Sequence, residues 1–171
     1  MSRAVWRPAY VAIGSNLQDP QRQVCAAFGH IAMLPATRLQ AKSALYVTQP
    51  MGPQDQPNYI NAVAGVLTQL NARELLDALL QVERQMGRDR RERWGPRVID
   101  LDLIWMAGQC VDEPDLQVPH PGVSDRNFVL YPLADIAPSL KIPAHGTVSV
   151  LKARVDVAGI QRLEPSEYQL V

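Results

Sequence analysis

Apolar and polar positions change period several times along this chain, and each change predicts an element. Residues 10–14 form a short apolar run that reads as a buried strand, closed by Gly14, Ser15 and Asn16. Asp19 and Pro20 then supply a cap-like residue and an N1 proline for a helix over about 20–33, which Pro35 ends. Residues 39–47 have mixed strand character, with Leu45, Tyr46 and Val47 at their end. The three prolines and one glycine of 49–57 predict an exposed loop. Residues 59–70 alternate through Ile60, Ala62 and Ala64 as a second long strand, so the two strands around the loop are expected to pair antiparallel.

The clearest helical pattern covers 72–86. Asn71 is its cap and Glu74 completes a variant capping box. Leu75, Leu79, Val82 and Met86 recur on one face, Leu76 and Leu80 widen it, and Gly87 provides a left-handed C-terminal residue. A polar, arginine-rich loop follows, then a strand over 98–106 and a turn at Ala107, Gly108 and Gln109. Residues 112–127 read as loop, 128–136 as a short helix despite Pro132, and the chain past Gly146 takes no assignment. The order β-α-β-β-α-β predicts an α+β protein: a ferredoxin-like plait with helices on one face of a largely antiparallel sheet, in a single domain spanning 1–171.

Composition adds boundaries. The 171 residues suit one core without staples, and the apolar share of 47% is ordinary for a globular chain. Seventeen basic and seventeen acidic residues cancel, so no chain-wide field favours nucleic acid or an anionic membrane. Residues 1–10 lack the apolar core of a signal peptide and no apolar run approaches a membrane span. Cys25 and Cys110 have no metal-type spacing and read as free thiols, with a single disulfide as the minor alternative. The expectation is a cytoplasmic monomer.

Candidate chemistry concentrates between Arg88 and Asp102. Strict alternation along 98–106 places Ile99, Leu101, Leu103 and Trp105 on one face, and Asp100 and Asp102 on the other with Val98 and Ile104. Two residues of strand separate the aspartate Cα atoms by roughly 6.6 Å. Carboxylates that close on a partly buried face repel and lose hydration, so cations must compensate. Arginines on a wet sheet face would serve; so would Mg²⁺, which takes one or two carboxylates plus phosphate oxygens. Arg88, Arg90, Arg91, Arg93 and Arg97 stand just upstream, around Trp94, Gly95 and Pro96. Their planar forks suit polyphosphate, although most charge runs are simply solvated. No Walker-type loop and no Gly-x-Gly-x-x-Gly is present, so any ATP would be held by arginines and metal. Gly14, Ser15 and Asn16 offer either N–H groups or a tight turn. Tyr59 and Phe128 read by default as core aromatics, and Glu83 as solvated. His120 is open among general base, phosphate ligand and packed surface residue. His30 and His145 read as structural or exposed.

The run Arg93-Trp94-Gly95-Pro96-Arg97-Val98-Ile99-Asp100-Leu101-Asp102-Leu103-Ile104 resembles the signature of the 6-hydroxymethyl-7,8-dihydropterin pyrophosphokinases of folate biosynthesis. Three further segments resemble that family in the same order: residues 12–16; residues 52–57 with 59–62; and Val118-Pro119-His120 with Arg126 and Phe128. The resemblance covers about 9–140, with 146–171 as an extension of unassigned role.

The resemblance implies a plait fold and transfer of the β,γ-pyrophosphoryl group of ATP to the pterin hydroxymethyl oxygen, with release of AMP. It implies that Asp100 and Asp102 hold two Mg²⁺ ions, that Arg88 and Arg97 contact phosphates and assist transfer, and that Trp94 helps close a mobile loop. Tyr59 and Phe128 would sandwich the pterin, and Asn61 would bond its polar edge. Thr48, Pro50 and Gly52 would complete that pocket. His120 and Arg126 would bind nucleotide, with Glu83 near the adenosine. Gln49 stands where proline is frequent, which is expected to loosen the pterin loop, and Pro121 follows His120 where some relatives carry tyrosine. The implied partners are ATP and the reduced hydroxymethylpterin, with no nucleic acid and no membrane. A metal-dependent phosphohydrolase or nuclease using the same aspartates is a rival, separated by its products. An RNA-binding plait is another, disfavoured by zero net charge and the carboxylate pair.

Overall fold

A computed structural model describes residues 3–87 and 96–165. Arg88, Arg90, Arg91, Arg93 and Trp94, and with them the expected loop closure, lie outside the described residues, as do 1–2 and 166–171.

In chain order the elements are β1 (Arg7–Ser15), α1 (Pro20–Ala32), β2 (Thr37–Lys42), β3 (Tyr46–Thr48), β4 (Tyr59–Thr68), α2 (Ala72–Gln85), β5 (Asp100–Met106), β6 (Val111–Glu113), β7 (Leu116–Val118), α3 (Asn127–Ile136), β8 (Lys141–Ile142), β9 (Gly146–Thr147), α4 (Val148–Arg154) and β10 (Ile160–Arg162). The main sheet runs β10-β3-β4-β1-β5, with β2 also paired to β4 and every pair antiparallel. If β2 and β3 are taken as one interrupted strand, this is the plait order. Ser43 marks the interruption: its hydroxyl accepts from the Val63 N–H at 2.8 Å, so the ladder breaks without leaving that donor unpaired.

Local signals explain most boundaries. Asn71 Oδ1 accepts from the Glu74 N–H at 2.9 Å and Glu74 Oε1 from the Asn71 N–H at 3.1 Å, a complete capping box. Gly87 ends α2 with φ +84°. Asp19 departs from expectation: it is left-handed (φ 62°) and its side chain makes no capping bond, so Pro20 alone marks the start of α1. The segment 112–127 is less loop-like than expected, since β6 and β7 pair in it as a short hairpin.

One face of the sheet receives α1 and α2. Val11, Ile13, Phe28, Ile31, Leu75, Leu79, Leu101 and Leu103 pack there, nearly all solvent-free. Complete burial of each such side chain is worth about 1.5–3 kcal/mol. The other face is covered too, contrary to the one-sided layering expected from sequence. Leu130, Leu133, Val148 and Leu151, from α3 and α4, pack against Val63 and Ile104. A second correction concerns Trp105. The β1–β5 register shifts between Tyr10 and Val11, which oppose Trp105 and Leu103, so Ile104 is an extra residue in β5. The bulge reverses parity beyond it. Trp105 therefore lies on the aspartate face, 5.8 Å from Tyr10 between ring centroids, and not with Leu101 and Leu103. Cys25 is a buried free thiol and Cys110 an exposed one. Among the described residues no helix is long and apolar enough to cross a membrane.

Candidate active site

The second face of the sheet carries a cleft at the ends of β1, β4 and β5, beside α3. Register explains how it assembles. Gly14 pairs with both Asn61 and Asp100, and Ala12 with both Val63 and Asp102. Side chains paired across antiparallel strands share a face, so Asp100, Asp102 and Asn61 emerge together over the two small residues of β1. A Cβ at Gly14 would stand 2.9 Å from Asn61 Oδ1, so glycine leaves the room that the amide occupies. The lining comprises Asp100, Asp102, Arg97, Arg126, Tyr59, Asn61, Thr48, Gly52 and Phe128, with Gln49, Met51, Ala12, Ile13, Gly14 and Val129.

Each wall is held by short polar contacts. Asn61, almost buried, donates from Nδ2 to Thr48 Oγ1 at 2.6 Å. Arg97 Nη1 donates to Asp100 Oδ2 at 2.9 Å, and both side chains keep partial exposure, so the pair forms part of an open wall and is not sealed. Asn16 fixes the backbone of Arg97. Its N–H donates to the Arg97 carbonyl at 3.0 Å, while its Oδ1 accepts the Arg97 N–H at 2.8 Å. The Asn16 amide also donates to Gln56 Oε1 and the Pro57 carbonyl, tying the proline-rich loop to the strand that carries the aspartates. The Gly-Ser-Asn turn is the one trace of this role in the sequence. The Arg126 side chain lies across Gly122, where an added Cβ would stand 2.5 Å from Nε, and its guanidinium is 5.8 Å from the Phe128 ring.

His120 follows the cis Val118–Pro119 bond and is not among the cleft-lining residues. Its N–H donates to the Ile104 carbonyl and its Nδ1 accepts the Gly122 N–H at 3.0 Å. With Nδ1 accepting, the neutral ring carries its proton on Nε2 and presents a donor. Burial, reinforced by the Arg126 charge, lowers its pKa to about 4, against a weaker upward pull from Asp100. We expect ¹⁵N shifts of the imidazole to report a neutral Nε2–H ring down to pH 5; a midpoint between 6 and 7 would contradict this environment. Because the native value lies below the ordinary 6.5, the stability linked to this group is full above that pH and declines as pH falls toward 4.

Besides His120, two described residues implicated by resemblance are not among the lining residues. Glu83 is 1% exposed and accepts the Leu101 N–H on Oε1 at 2.9 Å, between α2 and β5. It is neither solvated nor among the residues lining the cleft. Pro50 is buried and is not among the lining residues, its carbonyl accepting from the Gln54 amide at 2.9 Å. Gln49 does not leave the loop untethered: its N–H donates to the Gly159 carbonyl at 3.1 Å, a bond that proline could not make.

The family model for 7,8-dihydro-6-hydroxymethylpterin-pyrophosphokinase matches residues 10–138, three-quarters of the chain. The chain belongs to this pyrophosphokinase family. A 2-amino-4-hydroxy-6-hydroxymethyldihydropteridine pyrophosphokinase of Pseudomonas aeruginosa is 48% identical over 154 residues, covering 90% of this chain and 95% of the relative. That of Haemophilus influenzae is 43% identical, covering 79% of this chain and 84% of the relative. Among solved structures, wild-type Plasmodium falciparum HPPK-DHPS with pteroate aligns at a TM-score of 0.68 and 14% identity, over 90% of this chain and 43% of that one. At that identity the likeness concerns the fold, and this chain spans less than half the length of the larger protein. The pyrophosphokinase match takes in every described residue of the cleft, whereas α4 and β10 lie beyond it.

Proposed function

We propose that this chain transfers the pyrophosphoryl group of ATP to the hydroxymethyl oxygen of 6-hydroxymethyl-7,8-dihydropterin, releasing AMP, as a cytoplasmic monomer in folate biosynthesis. The observation that carries the reading is the convergence of Asp100, Asp102, Arg97, Arg126, Tyr59, Phe128 and Asn61 on one cleft. Membership of the family and the names of the bacterial relatives support the same reaction.

Tyr59 and Phe128 are both half-buried on the cleft wall. A flat heterocycle between them gains about 0.5–1.5 kcal/mol per ring beyond the area it buries. The Asn61 amide, oriented by Thr48, offers an acceptor and a remaining donor to the pterin edge. Gly52 also lines this cleft. Arg97 and Arg126 face the phosphates, and Arg88, outside the described residues, is assigned the same work on resemblance. His120 serves as an Nε2–H donor to the nucleotide and not as a base, because its other nitrogen is already accepting. Phosphoryl transfer depends on positioning and charge stabilisation, so no strong base is required.

The donor chemistry fits magnesium. Among the described residues no group of three or more His, Cys, Asp or Glu side chains converges, which disfavours an all-protein cage. Two carboxylates on one sheet face are the set that Mg²⁺ takes when phosphate oxygens and water complete its shell. Asp100 and Asp102 would hold two such ions, which supply neutralisation of the transferring group when bound. Glu83, being buried against β5, is assigned a supporting position and no nucleotide contact.

Incubation with ATP, Mg²⁺ and the reduced hydroxymethylpterin is expected to yield AMP and a diphosphorylated pterin in equal amounts. Inorganic phosphate without AMP would replace this reading with a phosphohydrolase.

A further inference from the structure

The family match ends at residue 138, yet the chain beyond it returns to the cleft. β10 pairs antiparallel with β3, placing Ile160 opposite Thr48. One residue on, the Gln49 N–H donates to the Gly159 carbonyl at 3.1 Å. Gly159 has φ +73°, and a Cβ there would stand 3.0 Å from Gln49 Oε1 and 3.1 Å from its Cδ, so the Gln49 side chain lies on bare backbone. The same tail meets α3. Asn127 Nδ2 donates to the carbonyls of Asp156 at 2.9 Å and Ala158 at 3.3 Å, and the Ala158 N–H closes that turn on Asp156 Oδ1 at 2.9 Å. Beyond β10, the Leu163 N–H donates to the Leu45 carbonyl and its side chain enters the main core, which anchors the far end.

Asn127 stands between Arg126 and Phe128, and the partners of Ile160 and Gly159 are Thr48 and Gln49; all four of these residues line the cleft. We propose that residues 156–162 strap the start of α3 to the loop after β3, and that Asn127 and Gly159 are positioning residues for pterin binding. Both Asn127 amide protons are directed at one turn, so drift of α3 from the tail breaks both bonds together. On the other side a main-chain bond fixes the residue beside Thr48, which orients Asn61. The strap thus sets the spacing between the Phe128 wall and the Thr48–Asn61 wall, the spacing on which a flat heterocycle depends. The assignment rests on the pyrophosphokinase reading and deepens it by separating pterin affinity from nucleotide affinity.

The test compares Asn127→Asp, which keeps the shape but turns an acceptor toward two carbonyls, with Gln49→Pro, which removes the N–H bonded to Gly159. Asn127→Ala serves if either variant folds poorly. The KM for the reduced hydroxymethylpterin is expected to rise about tenfold, the loss of roughly one net hydrogen bond of positioning. The KM for ATP is expected to rise less than that for the pterin, because Asp100 and Asp102 stand on β5 and Arg97 just before it, a strand that β10 does not pair, and Arg126 alone among the proposed nucleotide contacts adjoins the strap. Folding is checked by thermal melting. An unchanged pterin KM, or an equal rise in both KM values, overturns the strap alone. Transfer by the parent chain is measured first, and its absence overturns the pyrophosphokinase reading and this assignment with it.

Discussion

Asp100→Ala and Asp102→Ala are each expected to lower kcat by at least about 10²–10³ while leaving the chain folded, because removal of one preorganised electrostatic group from a transfer site costs on that order. The two carboxylates share one sheet face through their register with Gly14 and Ala12, and neither belongs to the apolar cores. Stability should therefore change little. Asp100→Ala releases the Arg97 guanidinium into an open cleft, where water replaces the lost partner. Asp102→Ala removes the like charge nearest to Asp100 along the strand. The measurement is kcat against Mg²⁺ concentration with the melting temperature of each variant. Near-normal turnover at ordinary Mg²⁺ in both variants would remove the metal-site assignment. Lost turnover accompanied by loss of the folded state would show instead that these carboxylates are structural.

Glu83→Ala is expected to lower both stability and turnover. The Glu83 carboxylate is buried and accepts the N–H of Leu101, the residue between the two aspartates. Its loss leaves that donor unpaired inside the protein, at a cost of about 1–3 kcal/mol. The first residues of β5 then lose the contact to α2 that sets their height, so both aspartates are displaced together. Chemical denaturation reads the stability change. Kinetics at a temperature where the variant is fully folded should still show kcat depressed, with the pterin KM affected less. A Glu83→Ala chain with parental stability and parental kcat would refute the positioning argument. A selective rise in the KM for ATP would restore the adenosine-side role that resemblance implies.

Much of this architecture was legible from local pattern. The α2 stripe, its capping box and Gly87 were visible because helix ends and amphipathic faces are short-range features. The antiparallel pair around the proline-rich loop followed from turn chemistry, and Asp-x-Asp on an alternating strand already put both carboxylates on one side. Trp105 could not be assigned correctly, since a bulge is decided by how β5 accommodates β1 and not by the residues of β5 alone. Asn16 looked like a turn residue, and its bonds to Arg97 and Gln56 span segments far apart in sequence.

The sequence by itself determined the strand and helix periods, the order of elements along the chain and the shared face of Asp100 and Asp102, because each depends on neighbours within a few residues. Only the tertiary structure decided that both sheet faces are covered, that Glu83 is withdrawn from solvent to hold Leu101, and that the tail returns to Gln49 and Asn127. Those outcomes depend on contacts between distant segments, whose hydrogen bonds and burial carry no short-range periodicity from which they could have been read.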